Sequence, residues 1–281
     1  MGKAGSLLEI MRPVNSVMVG LAIIVGAAIT GGTSIVGDPL PLLYAFITGF
    51  TLTGASMAVN DYYDRNIDAV NEPRRPIPSG RVTPAEALYL TGLLSLVGLT
   101  ASYAVSAEAL AVAGFSWVVM VGYSAWGKRT GFPGNLMVST CIALPFVYGG
   151  VLTGRVIVGL YFSLMAFLSN TGREVAKGIV DVEGDGSAGV RTVAVSSGPV
   201  AASRLAFFFF LASVASSALP VYLGLVSLWY MPFVAVTDLG LLQGGVSLLS
   251  EPTRENSRRV KNRVLYLMLV GLIGFAAGSL L

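Results

Sequence analysis

Long apolar segments separated by short polar connections dominate this chain from residue 14 to residue 281. Runs of roughly 17–25 apolar residues are long enough to cross a bilayer as helices. Nine such runs cover residues 14–31, 41–59, 85–104, 108–125, 134–152, 157–175, 201–219, 221–248 and 263–281. The pattern predicts an all-α polytopic membrane protein, with nine transmembrane helices around a central cavity and residues 1–281 forming a single domain.

The composition agrees with a chain that lies mostly inside a membrane. Of 281 residues, 54% are apolar and only 12% are charged, about half the charged share of soluble domains. The absence of histidine excludes His-ligated haem or zinc and any Ser-His or Cys-His nucleophilic pair. Cys141 is the single cysteine, so an intrachain disulfide is excluded. A net charge of +3 does not indicate a nucleic-acid partner.

The basic residues lie almost entirely on one side of the predicted membrane. When nine helices are counted, all of the 18 lysine and arginine residues except Arg155 fall in segments on the same side as the N-terminus. Because lysine and arginine are enriched in cytoplasmic connections, this bias predicts a multi-pass protein of the cell membrane. Its N-terminus and its two Asp-rich loops should then be cytoplasmic.

Two acidic segments follow apolar segments on this cytoplasmic side. The first acidic segment, residues 60–68, and the second acidic segment, residues 173–185, lie in the predicted loops 60–84 and 176–200 or just before them. Acids at the edge of the hydrocarbon region are costly and indicate function. The candidate metal ligands in them are Asn60, Asp61, Asp64, Asp68, Asp181 and Asp185.

The spacing of these acids fits a hard divalent cation. Asp61, Asp64 and Asp68 would lie on one face if the preceding helix continues past the membrane, and Asp181 and Asp185 are four residues apart. Magnesium takes about six oxygen ligands, often one or two carboxylates completed by substrate phosphate. The segments therefore predict Mg²⁺, with Mn²⁺ able to substitute, and a diphosphate substrate. The alternative is a set of solvated acids paired with nearby arginines.

Basic residues beside the acids are candidates for binding the diphosphate. Arg173 and Lys177 are four residues apart within the second acidic segment, so both side chains could reach one phosphate. The other candidates are Lys128, Arg129 and Arg74. The alternative is that such residues only set the orientation in the membrane, which is the reading favoured for the basic residues between 254 and 263.

These residues resemble the UbiA-type intramembrane prenyltransferases. The family's N-D-x-x-D-x-x-x-D motif is met from Asn60 to Asp68, and its D-x-x-x-D motif by Asp181 and Asp185. A further Y-x-x-x-K motif is only approximated, because Tyr123 and Lys128 are five residues apart. The resemblance implies a nine-helix fold and Mg²⁺-dependent transfer of a prenyl group from its diphosphate.

Residues 71–80 and 11–15 resemble, within this family, members that act in archaeal ether-lipid synthesis. This implies transfer of a geranylgeranyl group to the hydroxyl of geranylgeranylglyceryl phosphate. An aromatic acceptor such as 4-hydroxybenzoate is the alternative, because members that use one share the acidic motifs. An ion-coupled transporter is the non-enzyme alternative, but the acids lie at the membrane edge and a transporter would place them near the midplane.

Several residues are candidates for the chemistry itself. Asp68 or Asp181 could accept the proton of the acceptor hydroxyl if it is not fully committed to metal. Aromatic faces could stabilise an allylic cation. The candidate contacts to the cation or the acceptor are Asn15, Tyr62, Tyr123 and Asp238. Asp238 lies within an apolar segment, so it is equally well explained as an interior acid hydrogen-bonded to another helix.

Overall fold

The computed structural model describes residues 2–32, 38–187 and 189–280, and within them the chain is helical with no strand. In chain order the helices are α1 (Lys3–Ile10), α2 (Pro13–Gly31), α3 (Pro39–Asn71), α4 (Pro84–Val105), α5 (Ala107–Ala125), α6 (Phe132–Leu152), α7 (Val156–Val180), α8 (Val182–Ser187), α9 (Val193–Ser217), α10 (Leu219–Tyr222), α11 (Tyr230–Ser250) and α12 (Arg254–Leu280). A 3₁₀ turn, Gly127–Arg129, connects α5 to α6.

The number of membrane-crossing helices differs from the sequence prediction. In the described part of the chain, eight helices are long and apolar enough to cross a membrane. The ninth long helix, α7, is more polar, because it carries Asn170, Arg173 and Glu174. It packs against α6, α9 and α12, so most of its length faces other helices and not lipid. The all-α, multi-span architecture is confirmed, whereas nine apolar spans are not.

Close helix packing depends on glycine where α2 crosses α6. A Cβ atom built on Gly149 would lie 2.2 Å from the carbonyl carbon of Gly26, and one built on Gly26 would lie 2.5 Å from the carbonyl oxygen of Pro145. Small residues allow the backbones of membrane helices to approach closely. This contact fixes the distance between two helices that line both large cavities described below.

The first acidic segment is helical and does not belong to a loop. Helix α3 begins after Asp38, whose carboxylate accepts a hydrogen bond from the Leu40 amide at 3.1 Å, and it continues to Asn71, well past the predicted end at residue 59. Each further helical residue adds a backbone hydrogen bond, and no proline interrupts the chain before Pro73. The predicted loop 60–84 is therefore reduced to residues 72–83.

The second acidic segment spans the end of one helix and a short second helix. Helix α7 ends at Val180, Asp181 caps it, and α8 follows at once. The Asp185 amide donates to the Asp181 carbonyl at 2.8 Å, so the predicted spacing of one helical turn is confirmed. Gly184 lies inside α8.

Three predicted boundaries near the C-terminal end were also wrong. Helix α9 begins at Val193 and not at 201, capped by Thr192 and kinked at Gly198, whose φ is 83°. Helix α11 begins at Tyr230 and not at 221, because the short helix α10 and a turn precede it. Helix α12 begins at Arg254 and not at 263, since charged residues can continue a helix outside the membrane. Leu281 lies outside the described residues.

Candidate active site

The first acidic segment presents its acids from the last turns of α3. Asp61 and Asp68 are buried, and Asp64 is partly buried. Asn60 donates a hydrogen bond through its side-chain amide to Asp64 Oδ2 at 3.0 Å. This bond leaves the amide oxygen of Asn60 available as a neutral ligand. The helical continuation that the sequence required for a shared acidic face is confirmed.

Two arginines from distant parts of the chain converge on the buried acids. Arg12 Nη2 lies 2.7 Å from Asp61 Oδ1. Arg75 Nη1 lies 2.6 Å from Asp68 Oδ2 and 3.7 Å from Asp61 Oδ1. Asp61 and Asp68 therefore share one cation, which confirms that they lie on the same side of α3.

Lys128 approaches the same segment from the 3₁₀ turn after α5. Its ammonium forms an ion pair with Asp64. Burial, and to a smaller extent the charge of neighbouring Arg129, lowers the pKa of Lys128. The Asp64 carboxylate supplies the charge that offsets this unfavourable environment.

In the second acidic segment, the buried acid Glu174 forms ion pairs with both predicted phosphate-binding residues. Arg173 Nη1 lies 2.7 Å from Glu174 Oε1, and Lys177 Nζ lies 3.4 Å from Glu174 Oε2. Asp181 and Asp185 are partly exposed. Burial, followed by the negative charge of Asp181, raises the pKa of Asp185, while Lys177 opposes the shift. A cation bound by both carboxylates would relieve the repulsion between their negative charges.

A large apolar cavity of about 550 Å³ begins beside the first acidic segment. Arg12, Asn60 and Tyr123 line it at the predicted cytoplasmic end, and Thr48 and Tyr148 line it deeper in the helix bundle. By helical rise, the distance along α3 from Asn60 to Thr48 is about 18 Å. The remaining walls are mostly aliphatic, so the cavity could receive a long hydrocarbon chain whose polar end stays near the acids.

The second acidic segment faces this cavity through Tyr123. Tyr123 lines the cavity, and its ring hydroxyl lies within electrostatic reach of Lys177, Glu174 and Asp185. Asn60 of the first acidic segment lines the cavity as well, so charges of both acidic segments act at this end of the cavity. Binding of a metal ion and a diphosphate by both acidic segments requires them to lie close to one cavity in this way.

A second apolar cavity of about 350 Å³ adjoins the first. The two cavities share the lining residues Met18, Ala22, Ile142 and Pro145. The second cavity is lined by Asp238, which accepts a hydrogen bond from Ser217 Oγ at 2.6 Å. The predicted acceptor contact Asp238 is therefore one cavity away from the acidic segments.

The oxygen ligands at the mouth suit magnesium, although they do not form a preformed metal site. Among the described residues, no group of three or more acids lies close enough to hold a metal ion. The carboxylates are instead turned towards Arg12, Arg75 and Lys128. Magnesium usually takes one or two carboxylates and completes its coordination with water and phosphate, so the donor set fits this ion without a preformed cluster.

Some predicted contacts do not line the larger cavity. Arg74, Arg129 and Asn15 are exposed. Tyr62 packs against the core that α1, α3 and α4 share, with the Arg65 guanidinium 4.6 Å from its ring centre. Of the predicted aromatic contacts, Tyr123 alone is placed to face a substrate in the larger cavity.

Sequence reasoning missed the roles of Arg12 and Arg75. Arg12 is 49 positions from the Asp61 that it contacts, so no local spacing could reveal the pair. Arg75 stands next to Arg74 in a segment without a helical period, and the choice between them needed the loop conformation. The sequence analysis included Arg75 only among the nearby arginines that could pair with solvated acids, and Arg12 only within the resembling segment 11–15.

Comparison with known families agrees with the acidic motifs. The model of the UbiA prenyltransferase family matches residues 18–273. The chain belongs to this family, which confirms the predicted resemblance. It is therefore a prenyltransferase embedded in a membrane by several helices, and the transporter alternative falls away.

Full-length relatives narrow the resemblance within the family. The chain is 38% identical over 280 residues to the digeranylgeranylglyceryl phosphate synthase of Korarchaeum cryptofilum, covering 98% of this chain and 97% of the relative. It is 34% identical to the enzyme of the same name from Methanothermobacter thermautotrophicus, covering 97% and 95%. A solved structure of a digeranylgeranylglyceryl phosphate synthase superposes with a TM-score of 0.93 at 29% identity, with 99% of each chain covered.

A more distant solved structure shares the fold. The UbiA homolog from Archaeoglobus fulgidus bound to GPP and Mg²⁺ superposes with a TM-score of 0.67 at 16% identity, covering 96% of this chain and 99% of that one. At 16% sequence identity, this similarity establishes a shared fold and nothing about function.

Proposed function

We propose that this chain transfers a geranylgeranyl group from geranylgeranyl diphosphate to the free hydroxyl of geranylgeranylglyceryl phosphate. The observation that carries the proposal is an apolar cavity that extends about 18 Å along α3, from Asn60 of the first acidic segment to Thr48, with charges of the second acidic segment acting on Tyr123 at the same end. Similarity over nearly the whole chain to enzymes named digeranylgeranylglyceryl phosphate synthase supports the choice of acceptor. Residues 1–281 act as one prenyltransferase domain in this proposal.

Magnesium would be held by the acids on both sides of the mouth, with Mn²⁺ able to substitute. The ligands proposed are Asn60, Asp61, Asp64, Asp68, Asp181 and Asp185. The ion would neutralise the diphosphate and favour its departure as a leaving group. Binding it requires the carboxylates to exchange their present cationic partners for metal, which frees those cations to face the substrate.

The cations of the second acidic segment would hold the donor diphosphate. Arg173 and Lys177 share the buried carboxylate of Glu174, which fixes their side chains near Tyr123 and the cavity mouth. Lys128 reaches the same region from the opposite side through its pair with Asp64. Charge-assisted contacts from these groups would stabilise negative charge as it develops on the leaving diphosphate. Arg129 and Arg74, both exposed, would contribute at the rim.

The cavity would hold the isoprenoid chain of the donor and exclude water from its reacting end. Its walls are mostly aliphatic, and Tyr123 stands between them and the polar mouth. The ring of Tyr123 could stabilise an allylic cation through its face. Tyr62, held beneath Arg65, and exposed Asn15 would act only indirectly. Asp68 or Asp181 would accept the proton from the acceptor hydroxyl.

The proposed location is the cell membrane, with the N-terminus and both acidic segments at the cytoplasmic face. The bias of basic residues supports this orientation. Membrane lipids would contact the exposed apolar faces of the spanning helices, and the acceptor would enter from the bilayer.

The decisive experiment is a turnover assay of the purified protein in detergent. Geranylgeranyl diphosphate and Mg²⁺ are supplied with either geranylgeranylglyceryl phosphate or 4-hydroxybenzoate, and the products are identified by mass spectrometry. We expect the ether-lipid product and no prenylated phenol. Formation of the prenylated phenol alone would favour the alternative, quinone-type reaction.

A further inference from the structure

Arg12 and Arg75 present their cations outwards from a buried acidic base. The side chains of Arg12 and Arg75 are 34% and 33% exposed, whereas those of Asp61 and Asp68 are 4% and 8% exposed. A molecule in solvent that approaches Asp61 and Asp68 therefore meets the two arginine side chains first. Guanidinium groups match phosphate geometry through paired N–H donors.

The backbone at Arg12 is held in an unusual conformation. Among the described residues, Arg12 is the one non-glycine residue with a positive φ, at 47°. Left-handed backbone is unfavourable for a residue with a long side chain and persists where surrounding contacts enforce it. It lies between α1 and α2, and the side chain lines the mouth of the larger cavity.

An ion pair joins the two segments that carry the arginines. Arg81 donates to both carboxylate oxygens of Glu9, at 2.5 and 3.0 Å. The Glu9 carbonyl accepts the Arg12 amide at 3.1 Å. Arg81 also donates to the Arg74 carbonyl at 2.6 Å, next to Arg75. Glu9 and Arg81 thus tie the Arg12 backbone to the loop that carries Arg75, and the guanidinium groups of Arg12 and Arg75 lie 2.7 and 3.7 Å from the same Asp61 oxygen.

We infer that Arg12 and Arg75 form a second anion site that binds the phosphate monoester of the acceptor lipid, with Glu9 and Arg81 as positioning residues. The inference rests on the proposed function. Arg173, Lys177 and Lys128 already supply cations for the donor diphosphate, so the pair around Asp61 remains for the other phosphorylated substrate. An acceptor without an anionic group, such as geranylgeranylglycerol, would offer these cations no charged partner.

The test measures binding without turnover. Acceptor binding is measured with Mg²⁺ and no donor, using geranylgeranylglyceryl phosphate and its dephosphorylated form, geranylgeranylglycerol. Donor binding is measured with Mg²⁺ and a non-hydrolysable geranylgeranyl diphosphate analogue, without acceptor. Comparing the phosphorylated acceptor with the donor analogue shows whether a given arginine binds the acceptor phosphate or the donor diphosphate.

The wild-type protein should bind the phosphorylated acceptor at least tenfold more tightly than the dephosphorylated one. Arg12→Gln and Arg75→Gln should each weaken binding of the phosphorylated acceptor by roughly 10- to 100-fold. Binding of geranylgeranylglycerol and of the donor analogue should change little. Arg12→Lys and Arg75→Lys retain the charge opposite Asp61 and should give intermediate losses, so the test does not depend on variants that leave a buried acid unpaired.

The positioning role has its own readout. Glu9→Gln and Arg81→Gln should reduce the preference for the phosphorylated acceptor, and the exchanged pair Glu9→Arg with Arg81→Glu should restore part of it. Lys3→Gln is the matched control. Lys3 lies on the same helix α1, pairs with Glu86 and donates to the Arg81 backbone carbonyl at 3.1 Å, but it does not contact the side chains of the Glu9–Arg81 pair. It should leave the preference unchanged.

Two results would overturn the inference, and both are distinct from failure of the proposed function. Loss of donor binding in the Arg12 and Arg75 variants would assign these cations to the diphosphate. An unchanged preference for the phosphorylated acceptor would show that they serve only to neutralise Asp61 and Asp68. A wild-type protein that neither binds nor prenylates geranylgeranylglyceryl phosphate would instead refute the proposed function.

Discussion

Lys128 and Asp64 form an ion pair that joins the 3₁₀ turn after α5 to the last turns of α3. In the proposed function, both residues of this pair belong to the site of the donor diphosphate. Without metal, the lysine neutralises a carboxylate at the edge of the apolar cavity. If Asp64 is a metal ligand as proposed, the metal would replace Lys128 as its partner, and the ammonium would be free to bind phosphate. Exchange of this kind implies that metal and cation compete for Asp64.

The first prediction concerns removal of the metal. Activity should disappear in a chelator and return with Mg²⁺ or Mn²⁺, because carboxylates alone would repel a diphosphate. Turnover by the detergent-solubilised protein, before and after the metal is added back, measures this. Full activity in the chelator would contradict binding through the two acidic segments.

Replacement of single acids should separate ligands from bystanders. Asp64→Ala and Asp181→Ala should each lower kcat by at least about 100-fold, because each removes a ligand of a charge-stabilising ion. Glu183→Ala should have a much smaller effect, since its side chain is 86% exposed and faces Arg254. Thermal unfolding of all three variants checks that they remain folded. Equal losses of kcat at the three positions would mean that Glu183 is also a ligand.

The sequence predicted the helical class, the acidic segments and most of the spans, because these depend on local pattern and length. It raised the continuation of α3 through the first acidic segment only as a condition and could not predict its end at Asn71, since a further helical turn outside the membrane carries no hydrophobic signal. It also could not predict that α7 is the polar, buried helix, because burial depends on which neighbours pack around it.

The partners of the acids were equally out of reach of sequence reasoning. The contact between Arg12 and Asp61 joins residues 49 positions apart, and its geometry depends on how α2 packs beside α3. The choice of Arg75 over Arg74 depends on one loop conformation. A sequence pattern can identify candidate residues, but which charged residues pair with each other depends on how the helices pack.

The cations of the second acidic segment should behave differently from those before α12. Arg173→Gln and Lys177→Gln should each weaken binding of a non-hydrolysable prenyl diphosphate by roughly 10- to 100-fold, the effect of losing one charge-assisted contact. Arg258→Gln and Arg259→Gln are matched controls. Arg258 is exposed and Arg259 pairs with Glu255 in its own helix, so binding should persist. Similar losses in both groups would place the start of α12 over the active site.

The Glu9–Arg81 pair should give stability that depends on pH. The hydrogen bonds from Arg81 lower the pKa of Glu9 below its ordinary value of 4.5. A depressed folded-state pKa contributes stability that is present above 4.5 and is lost as the pH falls through the folded value. The melting temperature of wild type should therefore exceed that of Glu9→Gln near neutral pH, and the difference should shrink in acid. A difference that grows as the pH falls would contradict this role.

The last prediction distinguishes the two explanations of Asp238. Its carboxylate accepts a hydrogen bond from Ser217, and both residues line the smaller cavity. Because the amide oxygen of asparagine can accept the same bond, Asp238→Asn should retain both stability and turnover. Asp238→Leu should lower the free energy of unfolding by roughly 1 kcal/mol, the usual size of a hydrogen bond between membrane helices. Ser217→Ala should give a similar loss in thermal unfolding. If Asp238→Asn instead lost turnover at unchanged stability, the charge itself would act on the acceptor, and the smaller cavity would belong to the reaction.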